Sequence, residues 1–295
     1  MAPIQHLGNI DKRKRASQQV AFGFFSFLSY LVVVILFVIL GFIILKGASV
    51  ISWDFLTQAP QEGMTSGGIF PAIVGTLYLV IGSSLISFPI GIMSGIYMNE
   101  YATNGKLIRF IRIMTNNLSG VPSVVFGLFG MSLFVSTLGW GDSIIAGSFT
   151  LALMSLPLII RTTEEALKSI DDSFRHGSLA LGATKLQTIR RVVLPMAFPN
   201  MITGWILAVR RVSGETAPIL FTVAAYFLPQ LPKSIFDQCM ALPYHLYVIS
   251  TSGTDIEASR GMAYGTALVL IVIVLLVNLL ANALRSYFAK KVKMN

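Results

Sequence analysis

Two neighbouring arginines and a glutamate interrupt an apolar part of the chain. Arg210, Arg211 and Glu215 are the charged residues within 197–226. A charge near the middle of a bilayer costs about 2.5–3.5 kcal/mol on insertion scales, so charged residues at that depth pair with each other or face a polar path. Arg211 and Glu215 are four residues apart and share one face of a predicted helix, whereas Arg210 lies about 100° away around it. The spacing predicts either an ion pair or a site for an anion.

Both interpretations of Arg211 are open from the residues alone. In one, the pair with Glu215 holds two helices in register. In the other, Arg211 meets an oxyanion, because a planar guanidinium presents paired donors to its oxygens, and Glu215 limits how tightly the anion binds. Arg161, at the inner end of the fourth predicted span, is either a topogenic anchor or a last cation on the path. Neutral donors could come from polar residues that also commonly serve helix packing: Asn117, Ser119, Ser123 and Thr216.

The elements that position these residues are predicted to be membrane helices. The chain of 295 residues is 54% hydrophobic and 12% charged, with a mean hydropathy of +0.74, whereas soluble proteins carry about 25% charged residues. Five uncharged runs are each close to the roughly 20 residues that cross a hydrocarbon core: 20–45, 69–99, 118–138, 143–160 and 261–284. With 197–226 as a sixth, the sequence predicts an all-α polytopic membrane protein with six transmembrane helices.

Lysine and arginine predict the orientation of the bundle. If the N-terminus is cytoplasmic, 17 of the 22 basic residues face the cytoplasm, as the excess of positive charge in cytoplasmic loops requires. Lys46, Lys233 and Arg260 then face outward, and both termini are cytoplasmic. The net charge of +9 is explained by topology, which makes nucleic-acid binding a poor interpretation. The outer loop carries the single cysteine, Cys239, and its part 234–242 is predicted either as a short interfacial helix or as a solvated loop.

A charged segment at 161–196, here called the elbow, is predicted to contain two short helices. Asp171 and Asp172 are N-cap candidates for a first helix that runs toward Leu181. Gly182 fits the position just after a helix C-terminus, where a left-handed conformation is needed.

The second helix of the elbow is predicted at 185–194. Thr184 and Gln187 have the spacing of a capping box at its start, and Pro195 is expected to help end it. From physics alone, the elbow is either an amphipathic hairpin resting on the membrane surface or a docking element for a soluble partner.

The run LALGATKLQTIRRVVLP at 179–195 is similar to the EAA loop of ABC-importer permeases. Further runs at 89–101, 118–127, 160–165 and 211–218 resemble the phosphate-transport permeases of that family. The short N-terminus and the Arg-Thr-Thr-Glu element are typical of the A-type rather than the C-type permease. The resemblance implies a type I ABC-importer permease fold in the bacterial inner membrane.

In that family the elbow forms coupling helices that sit in a groove of a cytoplasmic ATPase subunit. The residues to which this role carries over are Phe174, His176, Ala180, Leu181, Gly182, Ala183 and Leu186. His176 stands where the family has a glutamate, and Gly177 replaces the alanine that follows. The resemblance also implies the partners: a second homologous permease, two ATPase subunits, an extracytoplasmic phosphate-binding protein and the lipid bilayer. ATP and Mg²⁺ are expected in the ATPase, with no cofactor bound by this chain.

The chain divides into three predicted regions. Residues 1–68 hold a basic tail, the first span and an outer loop, residues 69–284 hold the permease core with five helices and the elbow, and residues 285–295 form a basic tail. No enzyme is predicted, because the chain has no G-x-x-x-x-G-K-[ST] phosphate loop, no H-E-x-x-H and no cluster of metal-binding residues.

The predicted function is that of a permease subunit that moves inorganic phosphate by alternating access, driven by ATP hydrolysis in a separate subunit. A permease for another oxyanion, such as molybdate or sulfate, is the nearest alternative. A self-sufficient secondary transporter is a further alternative, although such proteins commonly show internal repeats, which this sequence lacks.

Overall fold

A computed structural model describes residues 4–102, 105–252 and 256–294. Over these residues the secondary structure is helical apart from turns and one two-residue hairpin, in which β1 (Pro60–Gln61) pairs antiparallel with β2 (Ser66–Gly67). The predicted all-α class is confirmed. The α-helices are α1 Ile4–Ala48, α2 Trp53–Thr57, α3 Phe70–Ile96, α4 Lys106–Leu118, α5 Ser123–Gly130, α6 Ile144–Lys168, α7 Asp172–Ala180, α8 Lys185–Thr188, α9 Leu194–Ser213, α10 Ala217–Leu220, α11 Leu242–Thr251 and α12 Ile256–Met294.

Three π-helical turns continue these helices: Tyr97–Tyr101 after α3, Met131–Thr137 after α5, and Ile189–Val193 between α8 and α9. In the described part of the chain, five continuous helices are long and apolar enough to cross a membrane: Ser17–Ala48, Phe70–Tyr101, Ile144–Lys168, Lys185–Ser213 and Ile256–Lys290. A sixth span is present if α4 and the helix Ser123–Thr137 are counted as one bent element.

The run 118–138 is therefore not a straight span. The chain turns by 105° between α4 and α5, at residues 119–122. Pro122 explains the break, because proline has no N–H to donate and disfavours helical geometry in the residue before it. The helix restarts at Ser123, directly after the proline.

The centre of the bundle is a close pairing of α3 with α6, against which α9 packs. Gly95 lies against the side chain of Thr163, and Gly204 of α9 lies against the Thr162 hydroxyl, so that a methyl group at either glycine would collide with its neighbour. Phe198 and Phe288 pack edge to face at 5.1 Å between ring centroids, which places the end of α12 beside the start of α9. We call the end of the bundle that carries the elbow the elbow end, and the opposite end the far end.

The fifth span differs from its prediction at both ends. It begins at Lys185 and runs without interruption to Ser213, so the expectation that Pro195 helps end a short helix is wrong. The π-turn Ile189–Val193 widens the helix just before the proline, and Pro195 then occupies the first turn of α9, where a missing N–H is tolerated. At the far end, the helix stops at Ser213 with Gly214 as its C-cap, so 197–226 is not one helix.

The two ends of the segment 221–242 fold back into the far end of the bundle, whereas its middle, 226–238, is mostly exposed. Cys239 is buried, and the Leu242 N–H donates to the Thr76 hydroxyl at 2.8 Å. Gly75 permits this approach, because a side chain there would collide with the Met240 carbonyl. The interpretation of 234–242 as a helix is wrong, whereas the loop interpretation holds for 234–238, which are irregular and mostly exposed. Residues 239–242 are buried, so the outer-loop position predicted for Cys239 becomes a buried one.

Candidate functional site

The two helices of the elbow form as predicted, with their capping residues in place. The Asp171 carboxylate accepts from the Ser173 N–H at 2.8 Å and caps α7. Hydrogen bonding to the Ser173 side chain and to its N–H lowers the pKa of Asp171. Gly182 has a φ of 82°, the left-handed conformation that glycine adopts most readily. Thr184 and Gln187 make both hydrogen bonds of the capping box at the start of α8.

The coupling residues form an exposed surface at the tip of the elbow. Leu181 is 90% exposed, and Leu186 and Phe174 are also exposed although they are apolar. Three further predicted coupling residues are exposed as well: His176, Ala180 and Gly182. Ala183 is partly buried. An apolar surface of this kind marks a site of protein or membrane contact.

The elbow helices contact each other and the bundle behind their exposed tip. The Ser178 hydroxyl lies 2.9 Å from the Thr188 hydroxyl and joins α7 to α8. Ile189 and Val193 are buried, whereas Leu186 is exposed. Helix α8 is therefore anchored to the bundle through the buried π-turn that follows it, whereas the tip of the elbow is exposed.

Arg211 and Glu215 form the predicted ion pair, with 3.4 Å between Nε and Oε1. Their side chains are 31% and 18% exposed. Arg211 lies in the last turn of α9 and Glu215 follows the helix end, so the contact is local and joins α9 to the connection before α10. Arg210 is exposed, as its different direction around the helix predicts. Glu215 also lines a small cavity with Thr76 and Leu151.

The predicted neutral donors lie at two neighbouring breaks in the helices. Asn117 and Ser119 are at the end of α4, and Ser123 begins α5. Thr216 precedes α10, and α10 packs against α5, where Gly127 approaches the Ala217 carbonyl. The structure thus brings the α4–α5 break and the 214–218 connection together, although it shows no contact between these donors and Arg211.

Arg161 lies apart from Arg211. It pairs with Glu165 at 2.9 Å on α6, and both side chains are largely exposed. The adjacent Thr162 touches Gly204, and seven residues of helix from there to Arg211 span about 10 Å along the axis.

Sequence reasoning missed a group of ion pairs at the elbow end. Arg175 of α7 donates to the Glu100 carboxylate at 2.9 Å, across 75 positions of sequence. This hydrogen bond raises the pKa of Arg175 above its ordinary value. Arg112 of α4 pairs with Glu164 of α6 at 3.2 Å and donates to the Met98 carbonyl. No spacing rule connects residues so far apart, so the sequence carried no signal for these contacts.

His245 is a buried titratable side chain outside these groups. His245 of α11 is 1% exposed, and neither ring nitrogen has a hydrogen-bond partner within the described residues. Burial lowers its pKa to about 4. Over residues 4–102, 105–252 and 256–294, no group of three or more His, Cys, Asp or Glu side chains could hold a metal ion.

Comparison with known proteins identifies the family. Residues 87–294 match the family described as binding-protein-dependent transport system inner membrane component. The chain is 35% identical over 294 residues to the probable ABC transporter permease protein YqgI of Bacillus subtilis (strain 168), covering 96% of this chain and 99% of that protein. It is 36% identical over 282 residues to the phosphate transport system permease protein PstA of Mycobacterium leprae (strain TN), covering 94% and 91%.

Solved structures confirm the predicted type I importer fold. A chain of a bacterial alginate ABC transporter, in complex with alginate pentasaccharide-bound periplasmic protein, aligns with a TM-score of 0.66 at 15% identity, over 92% of this chain and 98% of that one. A chain of the inward-facing MetNI methionine ABC transporter aligns with a TM-score of 0.59 at 18% identity, over 74% and 94%. Helical spans, a capped elbow and sequence similarity over most of its length make this chain a member of the binding-protein-dependent transport system inner membrane component family.

Proposed function

We propose that this chain is the permease subunit of an ATP-driven importer for inorganic phosphate. The observation that carries the proposal is Arg211, a partly buried guanidinium held by Glu215 at the end of a membrane helix, in a chain similar over most of its length to phosphate permeases. Arginine suits phosphate because its planar fork matches the phosphate oxygens and keeps its charge at any working pH.

In the proposed path, Glu215 positions Arg211 and competes with the anion for it. Competition keeps the anion from binding so tightly that it cannot leave. Thr216 and Ser123, on the adjoining breaks before α10 and α5, would donate to the same anion together with Asn117 and Ser119. Arg210 and Arg161 would attract it at more exposed points, Arg161 on the elbow side of the membrane.

The elbow end is proposed to face the cytoplasm and to bind the ATPase. The exposed Leu181, Leu186 and Phe174 would enter a groove on that subunit, with His176 in place of a carboxylate. ATP and Mg²⁺ would be bound by the two ATPase subunits and not by this chain. A second permease would complete the anion path, and a phosphate-binding protein would deliver the anion at the far end.

The test is uptake of radiolabelled phosphate by vesicles that contain this chain with its second permease, ATPase subunits and binding protein. Arg211→Gln should reduce uptake to background while the protein stays in the membrane, since the amide lacks the charge. Arg211→Lys should retain a small part of uptake, because lysine keeps the charge but not the fork. Arg260→Gln, which removes an exposed cation paired with Glu257, is the matched control and should transport normally. Near-normal uptake by Arg211→Gln would remove Arg211 from the path.

A related oxyanion is the second candidate, because YqgI is described only as a probable ABC transporter permease. Excess unlabelled sulfate and molybdate should leave phosphate uptake by the complex unchanged. If either anion is transported while phosphate is not, the proposal for phosphate fails and the oxyanion permease remains.

A further inference from the structure

Helix α7 is joined to the rest of the molecule through the side chain of Arg175. Its guanidinium donates to Glu100, to Asp172, and to the carbonyl oxygens of Leu167 and Ile170, at 2.8–3.0 Å. We call this set of five residues the Arg175 clamp. It connects three elements, because Glu100 belongs to the π-turn that ends α3 and the two carbonyls belong to the end of α6 and the turn after it.

Within the clamp, the Arg175–Glu100 pair is more protected than the other ion pairs of the elbow end. The Arg175 and Glu100 side chains are 16% and 7% exposed, whereas those of Arg161 and Glu165 are about 60% exposed. Partly buried charge pairs are screened little by salt, and removing one partner leaves the other charge uncompensated.

Helix α7 is not held in place by apolar packing. Helix α7 contains no buried residue, and a further side-chain link from it is the Ser178–Thr188 hydrogen bond to α8. The orientation of α7 relative to α3 and α6 is therefore set chiefly by Arg175.

We propose that the Arg175 clamp makes α7, α3 and α6 move as one body, so that displacement of the elbow reaches the residues around Glu215. The inference rests on the proposed function, since it assumes that a partner moves the elbow. The route is physical: α3 and α6 are in close contact at Gly91 with Ile159 and at Gly95 with Thr163. Toward the far end, Thr76 of α3 and Leu151 of α6 line the cavity that Glu215 also lines. Arg175 is thus a positioning residue for transport that touches no anion.

The experiment measures phosphate transported per ATP hydrolysed in vesicles with the full complex. Arg175→Gln should keep ATP hydrolysis within about twofold of the wild type and lower the transport-to-hydrolysis ratio roughly tenfold, a size typical of coupling mutations. Arg175→Lys should give an intermediate ratio, because one ammonium cannot reach the carboxylates and both carbonyls together. Arg260→Gln, an exposed pair at the far end, should match the wild type.

Hydrogen exchange of the complex, read by mass spectrometry, provides a second measurement that does not depend on the transported anion. Amides of 172–181 should exchange about tenfold faster in Arg175→Gln, and those of α6 should be unchanged, as expected when one segment opens locally. A variant with normal exchange in α7, or with a normal transport-to-hydrolysis ratio, overturns the clamp.

Two outcomes separate the clamp from other failures. If Arg175→Gln does not assemble, Glu100→Gln is tested instead, because it removes one charge and leaves the contacts of Arg175 with the two carbonyls. A transport-to-hydrolysis ratio lowered about threefold would support the clamp, and an unchanged ratio would overturn it. If the wild-type complex carries no phosphate, the proposed function fails, and the exchange of α7 still decides the role of Arg175.

Discussion

His245 is a neutral imidazole inside the protein, and this makes stability depend on pH. Burial lowers its pKa to about 4, whereas the unfolded chain binds that proton near pH 6.5. Between these values the unfolded state holds more protons, so stability falls as the pH drops through the window from 6.5 toward 4 and is unaffected above it. The shift corresponds to at most about 3 kcal/mol.

The measurement is thermal unfolding of the purified protein in detergent at pH 7.5 and 4.5. His245→Leu, which cannot titrate and keeps an apolar side chain of similar size, should lose less stability on acidification than the wild type, by up to about 3 kcal/mol. Equal losses for the two proteins would show that the ring is protonated as easily in the folded state as in the unfolded one.

At the residue scale, local spacing predicted some contacts and could not predict others. Arg211 and Glu215 pair because they are only four residues apart, although Glu215 lies just beyond the end of α9. The Asp171 cap and the Thr184 capping box are likewise local, and both are present. Glu100 reaches Arg175 only because α3 and the elbow meet in the folded bundle, and no sequence pattern contains that information.

At the scale of the helices, the turn between α7 and α8 depends on one residue, Gly182. With a φ of 82° it lies in the turn between α7 and α8, and a Cβ there would meet nothing within 4 Å, so within this chain a substitution acts through backbone strain and not through a collision. Gly182→Val should uncouple ATP hydrolysis from phosphate uptake, because a β-branched residue resists this conformation, which costs about 1–2 kcal/mol for ordinary residues. Gly182→Asn should retain most coupling, since asparagine tolerates it. Equal transport-to-hydrolysis ratios for the two variants would contradict a role for this turn.

Element boundaries were less predictable than element types. The sequence correctly predicted apolar helices, but 197–226 breaks at Gly214 and 118–138 bends beside Pro122. Apolar composition continues through both breaks, and after the break at Gly214 part of the apolar sequence is buried within the protein, as at Val223 and at 239–242. An apolar segment has the same composition whether it faces lipid or is buried within the protein. Only the packing of the folded chain distinguishes the two cases. At Pro195 the sequence predicted a helix end that the structure does not have, since the helix continues through the π-turn before the proline.

At the scale of the whole molecule, this chain presents surfaces that it does not cover itself. The side chains of 17–46 are largely exposed although most are apolar, as in a helix that faces lipid or another chain. The elbow tip exposes Leu181 and Leu186. The side chains proposed for the anion path are likewise not fully buried by this chain: Asn117, Ser119, Ser123, Arg211, Glu215 and Thr216. A single copy is therefore expected to be incomplete as a transporter.

Vesicles provide the last test, because they separate a subunit from a self-sufficient transporter. Vesicles with this chain alone should take up no phosphate above background, with or without a proton or sodium gradient, and adding ATP should change nothing. Vesicles with the second permease, the ATPase subunits, the binding protein and ATP should accumulate phosphate. Leu181→Asp should abolish this uptake by placing a charge in the proposed apolar contact, where its desolvation is unfavourable, and Leu181→Met should preserve it. Uptake by the chain alone would show that energy need not enter through the elbow and would establish the secondary transporter instead.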